Sequence, residues 1–346
     1  MTNMNQAGAK PLKQKNKLTS LREINLLMII AVFIIIMCIT CSQYFPHWAN
    51  IKVVLSSISV DGIVVIGMAI IMIAGGIDLS VGAVMCLSMA ICAKIFLAGL
   101  NPWLAMAIAL LACCGVGTAI GLLVTKVKLS HFIVTLCFMG IARGIVYAMT
   151  TGTPISLVGT LELHPEFQFL GQGQIGGIIP MTVVIFAVIA FISDYVARKS
   201  YAMRLVFYTG SNEKAAAYSG VNIDKVKIMT CMFCSLFAGI AGVIYMTKFS
   251  GVPISAGTGL EMTAIASAVI GGVSMNGGKG SILGAVLGLT LMTLVQNALT
   301  LFAVPAFWQD LIRYLIVLAA VVFDSVQQNG LLKRTAKVKT AKAVSK

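Results

Sequence analysis

Ten apolar runs, each long enough to cross a lipid bilayer, constrain this chain more than any other feature. They lie near residues 24–42, 53–74, 81–99, 103–125, 131–150, 180–197, 226–247, 261–275, 281–303 and 310–326. A spanning helix takes about 20 apolar residues, because hydrocarbon offers no partner for a backbone N–H or C=O outside the segment itself. Ten of them use roughly 200 of the 346 residues and leave room for connections. With 59% hydrophobic and 10% charged residues the chain has more apolar surface than one soluble core can hide. Intrinsic disorder requires the opposite balance. The sequence therefore reads as an all-α, polytopic membrane protein of about ten transmembrane helices. Pro46, Pro102, Pro154, Pro165, Pro180, Pro253 and Pro305 all fall at span ends or in connections, where a missing N–H does no harm.

The formal charge of +14 raises the question of nucleic acid, and its distribution answers it. Lys10, Lys13, Lys15, Lys17 and Arg22 precede the first run, and Lys333, Arg334, Lys337, Lys339, Lys342 and Lys346 follow the last. No aromatic residues interleave with them as a stacking platform requires, so no nucleic-acid partner is expected. They read as basic flanks of membrane spans. Together with Lys126, Lys128, Lys279 and six residues between Arg198 and Lys227, 20 of the 25 Lys and Arg fall on one side of a ten-span topology. The positive-inside rule then puts both termini in the cytoplasm. The longest outer connection, 151–179, carries no Lys or Arg. The parsing is a basic tail over 1–23, a lipid-embedded domain over 24–326 and a second basic tail over 327–346. The run from Ile24 to Thr40 is too long for a signal-peptide core and reads as a retained span.

Signatures of enzymatic chemistry are missing. Residues Gly272–Gly280 (GVSMNGGKG) resemble a phosphate loop, but the glycine spacing is wrong and Gly280 stands where Ser or Thr is needed. Gly171, Gly173 and Gly176 satisfy G-x-G-x-x-G without a strand and helix around them, in an outer connection. His47, His131 and His164 lack partners at ligand or triad spacing. Cys231 and Cys234 form C-x-x-C inside an apolar helix and read, like the other cysteines, as small hydrophobes. No catalytic, cofactor-binding or metal residue is assigned.

Ionisable and amide side chains within spans are the remaining candidates, since they are costly in lipid and face a cavity or one another. Asp61 and Arg143 each lie about 12 Å from the outer end of their span at 1.5 Å per residue. They read as a structural ion pair, with a part in a solute path as the other reading. Gln296 and Asn297 are candidate path liners or interhelical hydrogen-bonding residues. Asp310 and Arg313, at i and i+3, read as a local pair. Gly117 and Gly121, Gly284 and Gly288, and Ala238 and Gly242 have the small-xxx-small spacing of close helix packing.

The hydrophilic stretch 198–227 is too polar to span. Asn212 offers an N-cap oxygen, Glu213 suits the positive end of a dipole, and Gly220 suits a C-terminal stop, which predicts a short cytoplasmic helix from Glu213 to Tyr218. An internal similarity also stands out: GGIDLSVGAVMCLSM (75–89) aligns without gaps on GGKGSILGAVLGLTL (277–291) with six identities. It marks either two similarly oriented units or the composition common to membrane segments.

The segments GGIDLSVG (75–82), GTGLEMTAIASAVIGG (257–272), GGKGSILGAVLG (277–288) and VPAFWQDLIRYLIVLAAVVFD (304–324) resemble the permease subunits of bacterial ribose-type sugar ABC transporters. The likeness runs in consistent order from about residue 25 to 326. It implies an inner-membrane permease, paired with a second permease chain, that binds an ATP-binding subunit below and receives solute from a periplasmic binding protein above. ATP and Mg would sit on the partner ATPase, with no cofactor in this chain. Gly75, Gly76, Asp78, Ser80 and Gly82 match the family motif; Asp78 and Ser80 are expected to cap the span that follows. In the wider importer class a loop with the pattern E-A-A-x-x-x-G couples permease to ATPase. Here Lys214, Ala215, Ala216 and Gly220, led by Asn212 and Glu213, occupy those positions, with Lys214 where the pattern has Glu. The expected mechanism is alternating access driven by the ATPase. A stand-alone secondary carrier and a membrane-embedded enzyme are the competing readings.

Overall fold

The computed structural model describes residues 15–328, so the basic tails expected at 1–23 and 327–346 fall largely outside the described residues. The described chain is predominantly helical: α1 (Lys15–Thr40), α2 (Trp48–Ile73), α3 (Val81–Leu97), α4 (Pro102–Thr125), α5 (His131–Thr150), α6 (Pro165–Gln172), α7 (Met181–Lys199), α8 (Tyr201–Ser211), α9 (Glu213–Tyr218), α10 (Ile223–Phe249), α11 (Leu260–Ile270), α12 (Ile282–Leu301) and α13 (Ala306–Gln328). Strand is confined to two-residue ladders: β1 (Ile155–Ser156) pairs with β4 (Gly251–Val252), and β2 (Gln174–Ile175) with β3 (Ile179–Pro180), both antiparallel.

Among the described residues eight helices are long and apolar enough to cross a membrane. Two expected spans, 81–99 and 261–275, are instead the shorter helices α3 and α11, of 17 and 11 residues. At 1.5 Å per residue α11 covers about 16 Å, half of a ~30 Å hydrocarbon core. Non-helical backbone supplies the rest, residues 74–80 ahead of α3 and 253–259 ahead of α11. Such backbone is tolerated at membrane depth only where protein buries it or a cavity faces it. The two breaks meet. Gly82 in the first turn of α3 lies against Gly257, so closely that a β-carbon on either would overlap the other's carbonyl.

Around these breaks the core is built on α10, which packs against α2, α3 and α4. Glycine sets the spacing. A β-carbon on Gly117 would stand 2.6 Å from the Cys231 carbonyl oxygen, and one on Gly121 2.7 Å from the Ile228 Cα. Gly242 abuts the Met85 carbonyl, while Gly284 and Gly288 close on Gly271 and Ser267 of α11 and its end. The small-xxx-small pairs are thus seams within one chain, where dispersion replaces the hydrophobic effect that lipid does not provide.

The outer connection 151–179 folds over the outer ends of α3, α4 and α10. Phe167 of α6 is fully buried, its ring 5.5 Å from Trp103 and 6.0 Å from Phe96. The glycines of the G-x-G-x-x-G match serve local structure: Gly171 lets α6 touch the Thr247–Lys248 backbone, and Gly176, at φ +60°, turns the β2–β3 hairpin.

Candidate functional site

The predicted cytoplasmic helix forms as α9 within the stated bounds. Asn212 caps it, its Oδ1 accepting from the Ala215 amide at 3.0 Å. Gly220 ends it at φ +82°, a left-handed conformation that a β-carbon penalises. Glu213, Lys214, Ala215 and Ala217 are exposed and only Ala216 is buried. Tyr218 projects from the last turn at 93% exposure. The Glu213 carboxylate accepts from Lys227 Nζ on α10 at 2.8 Å, and Asp224 accepts from Lys126 Nζ at 2.6 Å. These bonds tie the corner to α10 and α10 to the α4–α5 connection. A cavity of about 380 Å³ separates the corner from the bundle, with Gly75, Gly76, Lys128, His131, Glu213 and Lys227 in its wall.

Sequence reasoning missed α8, the eleven-residue helix that carries α9. Its signal was present: Ser200 before it accepts from the Ala202 amide at 3.1 Å, an N-cap at the end of a basic run. Gly210 of α8 packs flat against the Ile73 carbonyl, and its β-carbon would stand 2.6 Å from the Gly278 nitrogen. The Gly278 amide donates to the Ile73 oxygen at 2.8 Å, and Ser211 Oγ donates to the Gly278 oxygen at 3.4 Å. The two Gly-Gly segments of the internal similarity therefore touch: a β-carbon on Gly277 would lie 2.9 Å from the Gly75 Cα. The turn leaving α2 and the turn entering α12 form one platform, and the α8–α9 corner rests on it.

From that platform the chain turns back into the bundle. Gly75 sits at φ +89°, and Gly76 makes room for His131, whose Nε2 would stand 2.8 Å from a β-carbon there. His131 Nδ1 is 2.9 Å from the Ile77 carbonyl oxygen and Nε2 is 3.4 Å from Cys231 Sγ. Asp78 is completely buried. Its Oδ1 accepts from the Ser80 amide at 2.8 Å and from Ser80 Oγ at 2.6 Å. Ser80 occupies the N-cap of α3 but makes no side-chain cap bond, so the expected capping of α3 by Asp78 and Ser80 is replaced by a local lock between them. The carboxylate needs Ser80 because a buried polar group without a partner is costly.

The polar residues within spans are distributed differently from the expectation. Asp61 and Arg143 form no ion pair. Arg143 Nη1 donates to the Ile254 carbonyl at 3.0 Å and Nη2 to Thr258 Oγ1 at 3.1 Å, both on the break ahead of α11, with the Glu261 carboxylate facing it. Asp61 instead faces Lys248 and Arg313. Equal depth on two helices did not mean equal azimuth. Asp310 and Arg313 form the predicted pair at 3.5 Å. Asn297 is clasped by Asn50 of α2, each amide donating to the other at 2.7 and 3.1 Å, the interhelical bond that was one of its two expected roles. Gln296, half-buried, makes no side-chain hydrogen bond among the described residues. A second cavity, of about 230 Å³, is lined by Ala83, Met139, Gly140, Arg143, Thr258 and Glu261. Among the described residues no three His, Cys, Asp or Glu side chains gather as a metal site requires.

The family described as branched-chain amino acid transport system / permease component matches residues 50–321. The ribose import permease protein RbsC of Escherichia coli K12 is 33% identical over 301 residues, covering 87% of this chain and 93% of its own. RbsC of Bacillus subtilis is 34% identical over 297 residues, covering 85% and 91%. The autoinducer 2 import system permease protein LsrC of Photorhabdus luminescens is 30% identical over 304 residues, covering 88% and 89%. No solved structure matches. The match spans both breaks, the Gly-Gly platform and the α8–α9 corner, and the chain belongs to this family: it is a multi-pass inner-membrane permease of the ribose-type ABC importers.

Proposed function

We propose that the chain carries a sugar or sugar-like solute inward by alternating access, driven by a separate ATP-binding subunit docked on the α8–α9 corner. A second permease chain completes the membrane unit and a periplasmic binding protein delivers the solute. ATP and Mg sit on the ATPase; Asn212, Glu213, Lys214, Ala215, Ala216 and Gly220 form the coupling contact of this chain. The observation that carries the reading is the seat of that corner. Through Gly210 and Ser211 it bears on Ile73 and Gly278 together, so a push on α9 reaches both the end of α2, ahead of the first break, and the turn that enters α12. Exposed α9 offers the partner a small, rigid knob, and the cavity behind it gives that knob room to move. The ribose and autoinducer 2 named for the relatives support a sugar or sugar-like solute.

The test is ATP hydrolysis by the chain co-reconstituted with its ATPase subunit and a ribose-loaded binding protein. Hydrolysis stimulated by the loaded binding protein, and lost when α9 is altered, supports the reading. Solute movement that is indifferent to both partners would establish the secondary carrier instead.

A further inference from the structure

Lys128 is the residue that the fold explains least. It stands just past the end of α4 at φ +60°, a left-handed conformation that favours glycine. The other described non-glycine residues at positive φ are Thr151, Ser250 and Ala303, so Lys128 alone among them carries a charge. The fold makes no use of that charge. Lys126 Nζ is taken by Asp224 and Lys227 Nζ by Glu213, whereas Lys128 has no hydrogen-bond or ion-pair partner among the described residues. A costly backbone conformation that no contact repays is a pointer to function. Lys128 lines the cavity of about 380 Å³ behind α9, together with Glu213, Asp224, Lys227 and Thr230. That volume falls within the range of about 300–1,000 Å³ usual for small-molecule sites. Its charges do not cancel: with Lys126 on Asp224, three cations meet two carboxylates, and the surplus one is Lys128. Lys128 and Glu213 are both exposed, so the cavity is reached from the cytoplasm.

These groups select an anion that also carries hydroxyls. Glu213 and Asp224 each keep lone pairs free beside their lysines, and the Thr230 hydroxyl, which donates to the Lys227 carbonyl, can still accept. A phosphate monoester brings nearly two negative charges and strong acceptor oxygens. Phosphate without a polyol would leave both carboxylates unused and repelling it. We infer that the cavity behind α9 binds a phosphorylated sugar from the cytoplasm, Lys128 and Lys227 on the phosphate and Glu213, Asp224 and Thr230 on the hydroxyls, and that the bound molecule arrests import. The three donors of Lys227 Nζ let it hold Glu213 and the phosphate together. Arrest follows from the space itself. The cavity is the room into which α9 moves, and a ligand that binds only while it is open holds α9 out by that difference in affinity. The reaction class that supplies the ligand is phosphoryl transfer from a nucleoside triphosphate to a hydroxyl of the imported sugar, with the diphosphate and a proton leaving. The site then answers to imported sugar that has not been consumed. The inference rests on the proposed function above, since it requires α9 to move.

The test is ATP hydrolysis by the complete complex in phosphatidylcholine nanodiscs, stimulated by ribose-loaded binding protein, with ribose 5-phosphate, ribose or inorganic phosphate added at millimolar concentration. Ribose 5-phosphate is expected to slow the stimulated rate severalfold, and the other two to leave it unchanged. Lys128→Gly suits the backbone and removes the charge. It is expected to keep the uninhibited rate while raising the ribose 5-phosphate needed for half-inhibition about tenfold or more, the loss of one charge-assisted contact. Calorimetric binding of ribose 5-phosphate to the nucleotide-free complex should weaken by the same factor, and Lys128→Arg should restore both. Undiminished hydrolysis in ribose 5-phosphate overturns the inference. Equal slowing of the parent and Lys128→Gly does so too, by moving the ligand to the ATPase, as does slowing by ribose or by inorganic phosphate alone to the same extent. A lipid headgroup is the remaining source of a phosphate monoester: slowing in phosphatidic acid nanodiscs without added sugar phosphate, relieved by Lys128→Gly, would overturn the sugar assignment. A parent complex that the loaded binding protein does not stimulate overturns the proposed function instead.

Discussion

Helices α1 and α2 are both strongly apolar and long enough to span, yet they occupy opposite environments. Seventeen of the 26 residues of α2 are buried. Among the 18 residues of α1 from Glu23 onward, only Leu26, Ile30 and Met37 are. Hydropathy cannot tell them apart, because a lipid-facing Leu and a buried Leu meet equally apolar surroundings. Small and polar residues can. α2 carries Ser56, Ser59, Asp61, Gly62 and Gly67, whereas the exposed side of α1 is Ile, Leu, Met and Val. In a membrane protein the inside is marked by close approach and by groups needing a partner, not by greasiness.

The sharpest way to break this comparison is to add one β-branched side chain at the centre and one at the rim. Gly82→Val would drive two methyl groups into the Gly257 backbone, which cannot yield as a side chain tip can. We expect a cost of about 3 kcal/mol or more and a loss of most monodisperse protein in size-exclusion chromatography. Ile35→Val on α1, 59% exposed, should leave the same elution profile within about 0.5 kcal/mol. Equal behaviour of the two variants would contradict the assignment of core and rim.

Gly220→Val addresses the cytoplasmic corner. At φ +82° the added side chain costs about 1–2 kcal/mol locally while meeting no neighbour, so α9 should re-aim without unfolding the bundle. ATP-driven uptake is expected to vanish with membrane insertion unchanged, checked by uptake and by membrane fractionation. Normal uptake would remove the corner from the mechanism. The Asn50–Asn297 clasp should be worth about 1 kcal/mol, read as a coupling energy in a thermal-denaturation cycle of Asn50→Leu, Asn297→Leu and the double variant. Additive losses would make the clasp energetically idle. Smallest of all, Lys126→Ala should shift stability by less than about 1 kcal/mol and the shift should fade in high salt, because the pair with Asp224 is largely solvated.

What could be read in advance divides along the same line. α9 was legible to the residue because Asn212 and Gly220 act within one turn of the helix they bound. The long spans were legible because about 20 apolar residues in series fit few structures besides a membrane helix. The breaks were legible only as gaps between spans: nothing in residues 74–80 and 253–259 says that they turn back into the bundle rather than lie outside it. Their signals, two adjacent glycines before Asp78, and Pro253 with Gly257 and Gly259, resemble ordinary turns. The partners of Asp61 and Arg143 were illegible for a different reason. Depth follows from counting along a helix, whereas azimuth depends on how the helices pack, and α10 and the 253–259 segment brought Lys248 to one and Thr258 to the other.

Import powered by a separate ATPase is tested most directly by uptake of radiolabelled ribose and of autoinducer 2 into proteoliposomes. These hold the chain and its ATPase subunit, with the binding protein outside and ATP present or absent within. One of the two solutes is expected to accumulate against a gradient, only with ATP and only with the ATPase subunit. Accumulation by the chain alone, driven by an ion gradient, would contradict ATP-coupled import.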